Sequence, residues 1–345
     1  MKLMCDAKVL KGAITRARLS IDSRAVGALQ CLRLDADGST LTVTGWNMDR
    51  STAVSFECNV VDNGSVLIHA RTLADAVKGA KGPLEIVADG ERVSVGGFTL
   101  RAHNPITDWP AMPTESPKGS FELDLADVAL VIGAASTDMA RPLLTMISVD
   151  ADAIACTDSY RLYAVTERNG GGEALLPAKW LAQFLKVKGL TTLAIETTEN
   201  YASTSVQNGA TTELHTVYTG QGTYPNWRQL IPASWPFTAT FDHDAMIDAL
   251  KAASAIVKDN TTSVRLSRGE GGVKVKVVSH DLGDFERVVP GSWPDEIDVA
   301  AFNPYYWTEL LEGTGATELH LTDASRPCGV TTERGVRLLM PVRVQ

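Results

Sequence analysis

The sequence predicts an α+β fold built as three tandem units, and three observations predict it. A chain of 345 residues is longer than one ordinary core fills. Two proline-rich segments, residues 103–119 with four of the 15 prolines and residues 222–236 with three, divide it into pieces of about 115 residues, because repeated proline removes donors and blocks regular structure. Each piece then runs helix, strands, helix, strands, the order of an internal repeat.

The first helix of each unit is read from apolar residues at three- and four-residue spacing, over residues 7–18, 124–135 and 242–258. Alternating, β-branched hairpin segments follow, with Asp37-Gly38 and Gly271-Gly272 at their turns. A second helix is expected over residues 70–80, 178–188 and 303–312, and further hairpins close the units at residues 84–95, 204–218 and 331–344. The step from hairpin to second helix is 23 residues from Asn47 to Ala70, 20 from Asp158 to Ala178 and 23 from His280 to Asn303. Domains are therefore expected over residues 1–117, 118–234 and 235–345.

On a helical wheel of about 100° per residue, Val9, Leu10, Ala13, Ile14 and Ala17 fall opposite Lys8, Lys11 and Arg18. Leu73, Ala76, Val77 and Ala80 likewise oppose Arg71, Lys78 and Lys81, and Trp180, Leu181, Phe184 and Leu185 oppose Lys179 and Lys186. The third unit carries Lys251 and Lys258 beside Asp244 and Asp248. Residues 124–135 have no basic residue, and residues 303–312 carry only acidic charge. The net charge is −9, from 32 Lys plus Arg against 41 Asp plus Glu, which taken alone speaks against a nucleic-acid partner. Sorted by element the reading changes, since basic residues gather on outer helix stripes while the acid lies on strands, turns and loops. Such a molecule presents a positive surface to phosphate and is acidic in total. The plainer reading is that these side chains solvate helix exteriors.

Catalytic chemistry is not legible. The six histidines show no H-E-x-x-H and no metal-ligand spacing, and phosphate-loop, dinucleotide and nucleophile-elbow motifs are absent. Asp35-Ala36-Asp37-Gly38 lacks the downstream glutamate of a calcium loop and reads as a hairpin turn. Neither a metal nor a cofactor is expected. Cys5, Cys31, Cys58, Cys156 and Cys328 are odd in number and scattered, as reduced thiols of a cytoplasmic protein are. The N-terminus has no uninterrupted apolar stretch and no segment approaches the length of a membrane span, so neither export nor a membrane anchor is expected.

Residues 141–144 (Arg-Pro-Leu-Leu), 156–165 (CTDSYRLYAV), 224–232 (YPNWRQLIP) and 338–345 (LLMPVRVQ) resemble the bacterial replicative sliding clamp, the β subunit of DNA polymerase III, in the family's order and at compatible spacing. The resemblance covers the whole chain and is strongest in the middle unit and the tail. It implies three DNA-clamp domains, each with two helices packed on antiparallel sheets, closing head to tail as a six-domain dimeric ring around duplex DNA. Helices would line the hole, and topology rather than tight contact would hold the protein on DNA through weak, sequence-independent phosphate contacts.

For DNA the resemblance adds Arg24 and Arg141 to the helix cations. Arg141 opens a loop in which Pro142 and Leu143 depart from the version that carries paired aromatics, so base stacking is not expected there. It also implies a hydrophobic pocket between the middle and last domains for linear motifs of polymerase, clamp loader and repair proteins. The matching positions are Leu144, Thr157, Ser159, Tyr160, Arg161, Leu162, Pro225, Gln229, Leu230, Asn303, Tyr306, Pro327, Leu338, Leu339, Met340, Pro341, Val342, Arg343 and Val344. Ser159 and Tyr160 replace a common Gly-His pair, and Gln229 a common basic residue. Leu338, Leu339 and Met340 also read as a plain interior strand. For ring closure, Phe98 and Leu100 with Arg71 and Lys78 would face Asp281, Asp284 and Glu286 of a second copy. Two other readings stay open on the residues alone: a cytoplasmic α+β enzyme with a site assembled from scattered residues, and a monomeric protein-binding repeat scaffold.

Overall fold

A computed structural model describes residues 1–343 apart from Ser23, Asn169, residues 258–261 and His280. Helices form where the apolar periodicity places them: α1 (Ala7–Ala17), α2 (Ala70–Val77), α3 (Leu125–Val131), α4 (Ala178–Leu181), α5 (His243–Ala253) and α6 (Pro304–Leu311). Asp6, Asp124 and Asp242 cap α1, α3 and α5, each carboxylate accepting from a backbone N–H of the first turn. That satisfies donors the helix itself leaves free. One expectation is corrected in the middle unit. α4 ends at Leu181 and a 3-10 turn spans Phe184–Lys186, so the tighter winding leaves Leu185 36% exposed rather than in the core with Phe184.

The first third of the chain holds strands β1 (Lys2–Asp6), β2 (Cys31–Asp37), β3 (Thr40–Trp46), β4 (Arg50–Glu57), β5 (Asn59–Asp62), β6 (Gly64–His69), β7 (Pro83–Asp89), β8 (Arg92–Val95) and β9 (Phe98–His103). The middle third adds β10 (Gly119–Asp124), β11 (Met146–Val149), β12 (Ile154–Thr157), β13 (Arg161–Val165), β14 (Ala174–Pro177), β15 (Thr192–Thr197), β16 (Tyr201–Asn208) and β17 (Thr211–Tyr218). The last third adds β18 (Phe237–Phe241), β19 (Val264–Gly269), β20 (Gly272–Ser279), β21 (Gly283–Ser292), β22 (Val299–Phe302), β23 (Glu318–Leu321), β24 (Cys328–Thr332) and β25 (Gly335–Leu339). The strands pair antiparallel, β1 with β7, β4 with β17 and β19 with β20 among them. The chain clusters into two compact units, residues 1–123 with 192–219 and residues 124–191 with 220–345.

In the first unit the strand order is β10-β15-β16-β17-β4-β3-β2-β6-β9-β8-β7-β1-β5. Leu10, Ala13 and Ile14 of α1 and Leu73 and Val77 of α2 share a core with Leu32, Leu34, Leu41 and Val43 of β2 and β3. α1 lies so close to β3 that a Cβ on Gly45 would stand 2.0 Å from the Ala17 carbonyl oxygen. Strands from the first and middle thirds meet where β4 pairs β17, from Thr212 opposite Ser55 to Val217 opposite Arg50. Beneath that seam Glu213, 1% exposed, receives Arg16 at 2.8 Å, Asn208 Nδ2 at 3.0 Å and His215 Nε2 at 2.9 Å. His215 Nδ1 lies 3.2 Å from the Thr52 hydroxyl, itself 2.9 Å from that of Ser20. Residues 103–117 are no open tether, since Trp109 is buried with Trp46 and Leu67.

In the second unit the order is β14-β11-β12-β13-β25-β24-β23-β18-β21-β20-β19-β22. Strands from the middle and last thirds meet where β13 pairs β25, from Arg161 opposite Leu339 to Val165 opposite Gly335. One face of that seam buries Leu162, Ala164, Val336 and Leu338 under Trp227 and Trp235 of the second proline-rich segment. Gly329 permits this, because a Cβ there would meet the Trp235 ring at 2.8 Å. On β25, Arg337 is 8% exposed and donates to the carbonyls of Glu309, Leu310 and Glu312 at the end of α6 and of Leu130 in α3. No helix among the described residues is long and apolar enough to cross a membrane.

Candidate functional site

The basic candidates separate by what holds them. Lys8, Arg18, Lys78, Lys81, Lys179, Lys186 and Lys251 are exposed on or beside their helices. Lys11 is half-buried and donates to the Ala80 carbonyl at 2.8 Å. It therefore satisfies an orphan acceptor just past α2 and holds α1 beside it. Arg24, 89% exposed, stands 3.5 Å from Asp22, and Arg71 stands 3.9 Å from Asp75 one helical turn on. Arg141 pairs with Asp138 at 3.3 Å and donates to the Ser159 hydroxyl at 3.2 Å. Lys258 lies outside the described residues.

The partner-pocket candidates come together in the second unit. Leu144, Thr157, Leu162, Leu338 and Leu339 are buried. Leu338 and Leu339 are thus interior strand residues, Leu338 packed with Leu162 under Trp227 and Leu339 on the opposite face of the strand. Exposed apolar surface stands beside them at Tyr160, Leu230, Met340 and Val342, with Pro225, Gln229 and Arg343 exposed and Pro327 and Pro341 half-buried. The tail is fastened by Met340 N–H to the Tyr160 carbonyl and Val342 N–H to the Ala301 carbonyl, both at 2.7 Å. Val344 lies outside the described residues.

Ser159 has φ +81°, a left-handed conformation that favours glycine. The turn around it is held by Asp158, whose Oδ1 accepts from the backbone of Tyr160 and Arg161 and whose Oδ2 accepts from Arg161 Nε at 3.0 Å. Arg161 also pairs with Glu309 of α6 and lies 4.4 Å from the centre of the Tyr306 ring. Tyr160 stacks on Tyr306 with centroids 6.2 Å apart. Asn303 caps α6, accepting from Tyr305 and Tyr306, and so fixes where Tyr306 sits. Burial, and then Asp158, push the Tyr306 phenol up. Burial also drives the neighbouring Cys156 thiol up to about 12, leaving little nucleophilic thiolate.

Sequence reasoning missed Asp158, Glu309 and Tyr224, whose hydroxyl accepts from Thr157 N–H at 3.1 Å. Asp158 was available inside the CTDSYRLYAV string, and Glu309 from its place one turn after Tyr306. Among the described residues no group of three or more His, Cys, Asp or Glu is arranged to hold a metal ion.

The edge candidates occupy strands with open sides. β9 pairs β8 from Phe98 to Arg101 but β6 only through Ala102 and His103. A cavity of about 340 Å³, lined by Leu84, Glu85, Ser94–Thr99, adjoins Phe98, which is 52% exposed; Leu100 is half-buried. β21 pairs β20 along Gly283–Pro290 but β18 only through Gly291 and Ser292. Asp281 and Asp284 are exposed, while Glu286 is paired with Lys274 and Lys276 at 3.4 and 3.7 Å.

No family model matches the chain. It is similar to the beta sliding clamp of Streptomyces coelicolor, 29% identical with all of both chains covered. It is 30% identical to the beta sliding clamp homolog GriR of Streptomyces muensis, over 91% of this chain and 87% of that protein. Among solved structures, the Caulobacter crescentus pol III beta superposes with a TM-score of 0.89 at 20% identity. The Bartonella birtlesii DnaN sliding clamp, solved bound to griselimycin, gives 0.87 at 21%. Both structural matches cover the whole of both chains. A relative 30% identical over 91% of the chain, on two antiparallel sheets carrying short helices, places this chain in the beta sliding clamp family.

Proposed function

We propose that the chain is a DNA sliding clamp, a non-enzymatic ring closed by two copies head to tail that encircles duplex DNA and tethers the replicative polymerase as a processivity factor. The observation that carries this reading is the match to beta sliding clamps over the full length of both chains. Three clamp domains, residues 1–117, 118–234 and 235–345, give six per ring. Lys8, Arg18, Arg24, Lys78, Lys81, Arg141, Lys179, Lys186 and Lys251 supply weak phosphate contacts that permit sliding, and Lys11 acts chiefly in holding α1 and α2. Open edges of β9 and β21 support closure, because unpaired strand edges are templates for a further strand. The groove at Tyr160, Leu230, Met340 and Val342 receives linear motifs of polymerase, clamp loader and repair proteins, apolar anchors over a rigid floor. The working compartment is the cytoplasm.

The test is topological. Sedimentation should give twice the monomer mass, and protein loaded on closed circular DNA should stay bound until the DNA is linearised. A monomer, or retention indifferent to linearisation, removes the ring.

A further inference from the structure

We propose that Cys5 and Cys58 form a redox site in the first unit, a cross-strand thiol pair that hydrogen peroxide converts to a disulfide and a dithiol restores. The inference stands on the first unit alone and does not depend on the ring reading.

Cys5 lies on β1, and Cys58 sits at the corner where the chain leaves β4 after Glu57 and enters β5 at Asn59. β1 and β5 run antiparallel with Leu3 opposite Val60 and Met4 opposite Asn59, so the next step sets Cys5 across from Cys58. Leu3 and Cys5 are buried while Met4 between them is exposed, and Cys58 and Val60 pack against the same core. Both thiol side chains therefore project to one face. The Cys58 N–H is taken by the Ser39 carbonyl at 2.8 Å. The two cysteines are thus not a hydrogen-bonded pair and face each other in the closer of the two antiparallel arrangements. Opposed residues stand about 4.5–5.5 Å apart at Cα, inside the roughly 4.4–6.8 Å that a disulfide bridges.

The other thiols are placed differently. Cys31, Cys156 and Cys328 stand opposite His69, Tyr163 and Leu339, and each donates to a backbone carbonyl, of Gly27, Met146 and Leu339. Within the pair, Cys58 is the half-buried member and the one that peroxide reaches. Burial raises its thiol and the Leu41 backbone N–H draws it back, whereas burial, then Cys58 and Asp6, push Cys5 up to about 12. Cys58 is therefore the nucleophile and Cys5 the resolving thiol. The Cys58 thiolate attacks one peroxide oxygen, the O–O bond breaks, and a sulfenic acid and one water form. The Cys5 sulfur then displaces hydroxide from the Cys58 sulfur, and its own proton leaves with that hydroxide as a second water. Two thiols and one peroxide thus become one disulfide and two waters. The bond ties the corner between β4 and β5 to β1 and closes the loop from residue 5 to residue 58, which restricts the unfolded chain.

The test exposes the full reduced chain to hydrogen peroxide and quenches it by alkylation in denaturant, with intact mass and non-reducing peptide mapping as readouts. We expect the loss of two hydrogens, a peptide that links Cys5 to Cys58 within one chain, and alkylation of Cys31, Cys156 and Cys328. The thermal midpoint should rise by about 5 °C, and dithiothreitol should reverse every change. Cys5→Ala and Cys58→Ser should each abolish the linked peptide and the shift, while the native chain alone already decides the outcome. Sulfinic acid at Cys58 without the linked peptide, a link between two chains, or equally fast oxidation of Cys31, Cys156 or Cys328 overturns the site. A linked peptide with an unchanged midpoint overturns the stiffening that the bond is said to bring.

Discussion

The two seams of the molecule, β4 against β17 in the first unit and β13 against β25 in the second, each hold an arginine and neutralise it differently. Beneath the first, Arg16 meets the carboxylate of Glu213, which also receives Asn208 and His215. At the second, Arg337 meets carbonyl oxygens, three at the end of α6 and one in α3, and its guanidinium lies 4.7 Å from the Tyr163 ring centre. A helix C-terminus carries orphan acceptors and partial negative charge, so it takes the place of a counterion. One seam thus depends on an ionised side chain, and the other on backbone that does not titrate.

The largest break in this contrast is expected from Glu213→Ala. It leaves the buried His215 and the half-buried Arg16 without their carboxylate, a loss of about 3 kcal/mol, read as a lower urea midpoint. Acid should weaken the same seam. Burial pushes the Glu213 carboxyl up, but hydrogen bonds from His215, Arg16 and Asn208 and the charge of Arg16 outweigh it and hold the group at about 2, below its ordinary 4.5. A carboxyl held low in the folded state contributes stability above its unfolded value and loses it on protonation. About 3 kcal/mol should therefore disappear between pH 4.5 and about 2, and Glu213→Gln should remove that part of the slope. Equal acid sensitivity in the variant would assign the loss to other carboxylates.

Arg337→Met keeps the apolar stem and removes the donors, leaving carbonyls that retain a second lone pair. We expect about 2 kcal/mol of destabilisation, smaller than at Glu213 and unchanged from pH 7 to pH 4. The smallest effect is a gain. Ser159→Gly relieves the left-handed residue next to the second seam and should stabilise by about 1 kcal/mol; a loss would mean that the Arg141 contact to its hydroxyl outweighs the backbone.

The elements that a local pattern encodes were legible. Leu10, Ala13 and Ile14 lie in the core and Lys8 and Arg18 at the surface, as 3.6-residue spacing requires. Leu185 was misplaced because the winding changes after Leu181. Long-range pairing was not legible. Arg16 lies 197 residues from Glu213, and nothing near either residue marks the partner. Arg337 looks like an outward charge on a final strand until two helix ends are found against it. The partner groove was read from resemblance, which brought Arg161 and Tyr306 but not Glu309, since its role depends on where the Arg161 side chain points. The two proline-rich segments were read as punctuation, whereas Trp109 and Trp227 dock them on sheet faces.

The capping aspartates stand at positions 6, 124 and 242, a constant step of 118 residues. The residues ahead of the second helices do not keep that step. His69, Pro177 and Asn303 follow their aspartates by 63, 53 and 61 residues. The middle unit is ten residues shorter than the first before its second helix and ten longer after it, so its total length is unchanged. Such compensation keeps the whole contour from carboxylate to carboxylate constant while the segments within it vary. It also makes each aspartate the natural joint for exchanging one module for another without altering the chain's measure.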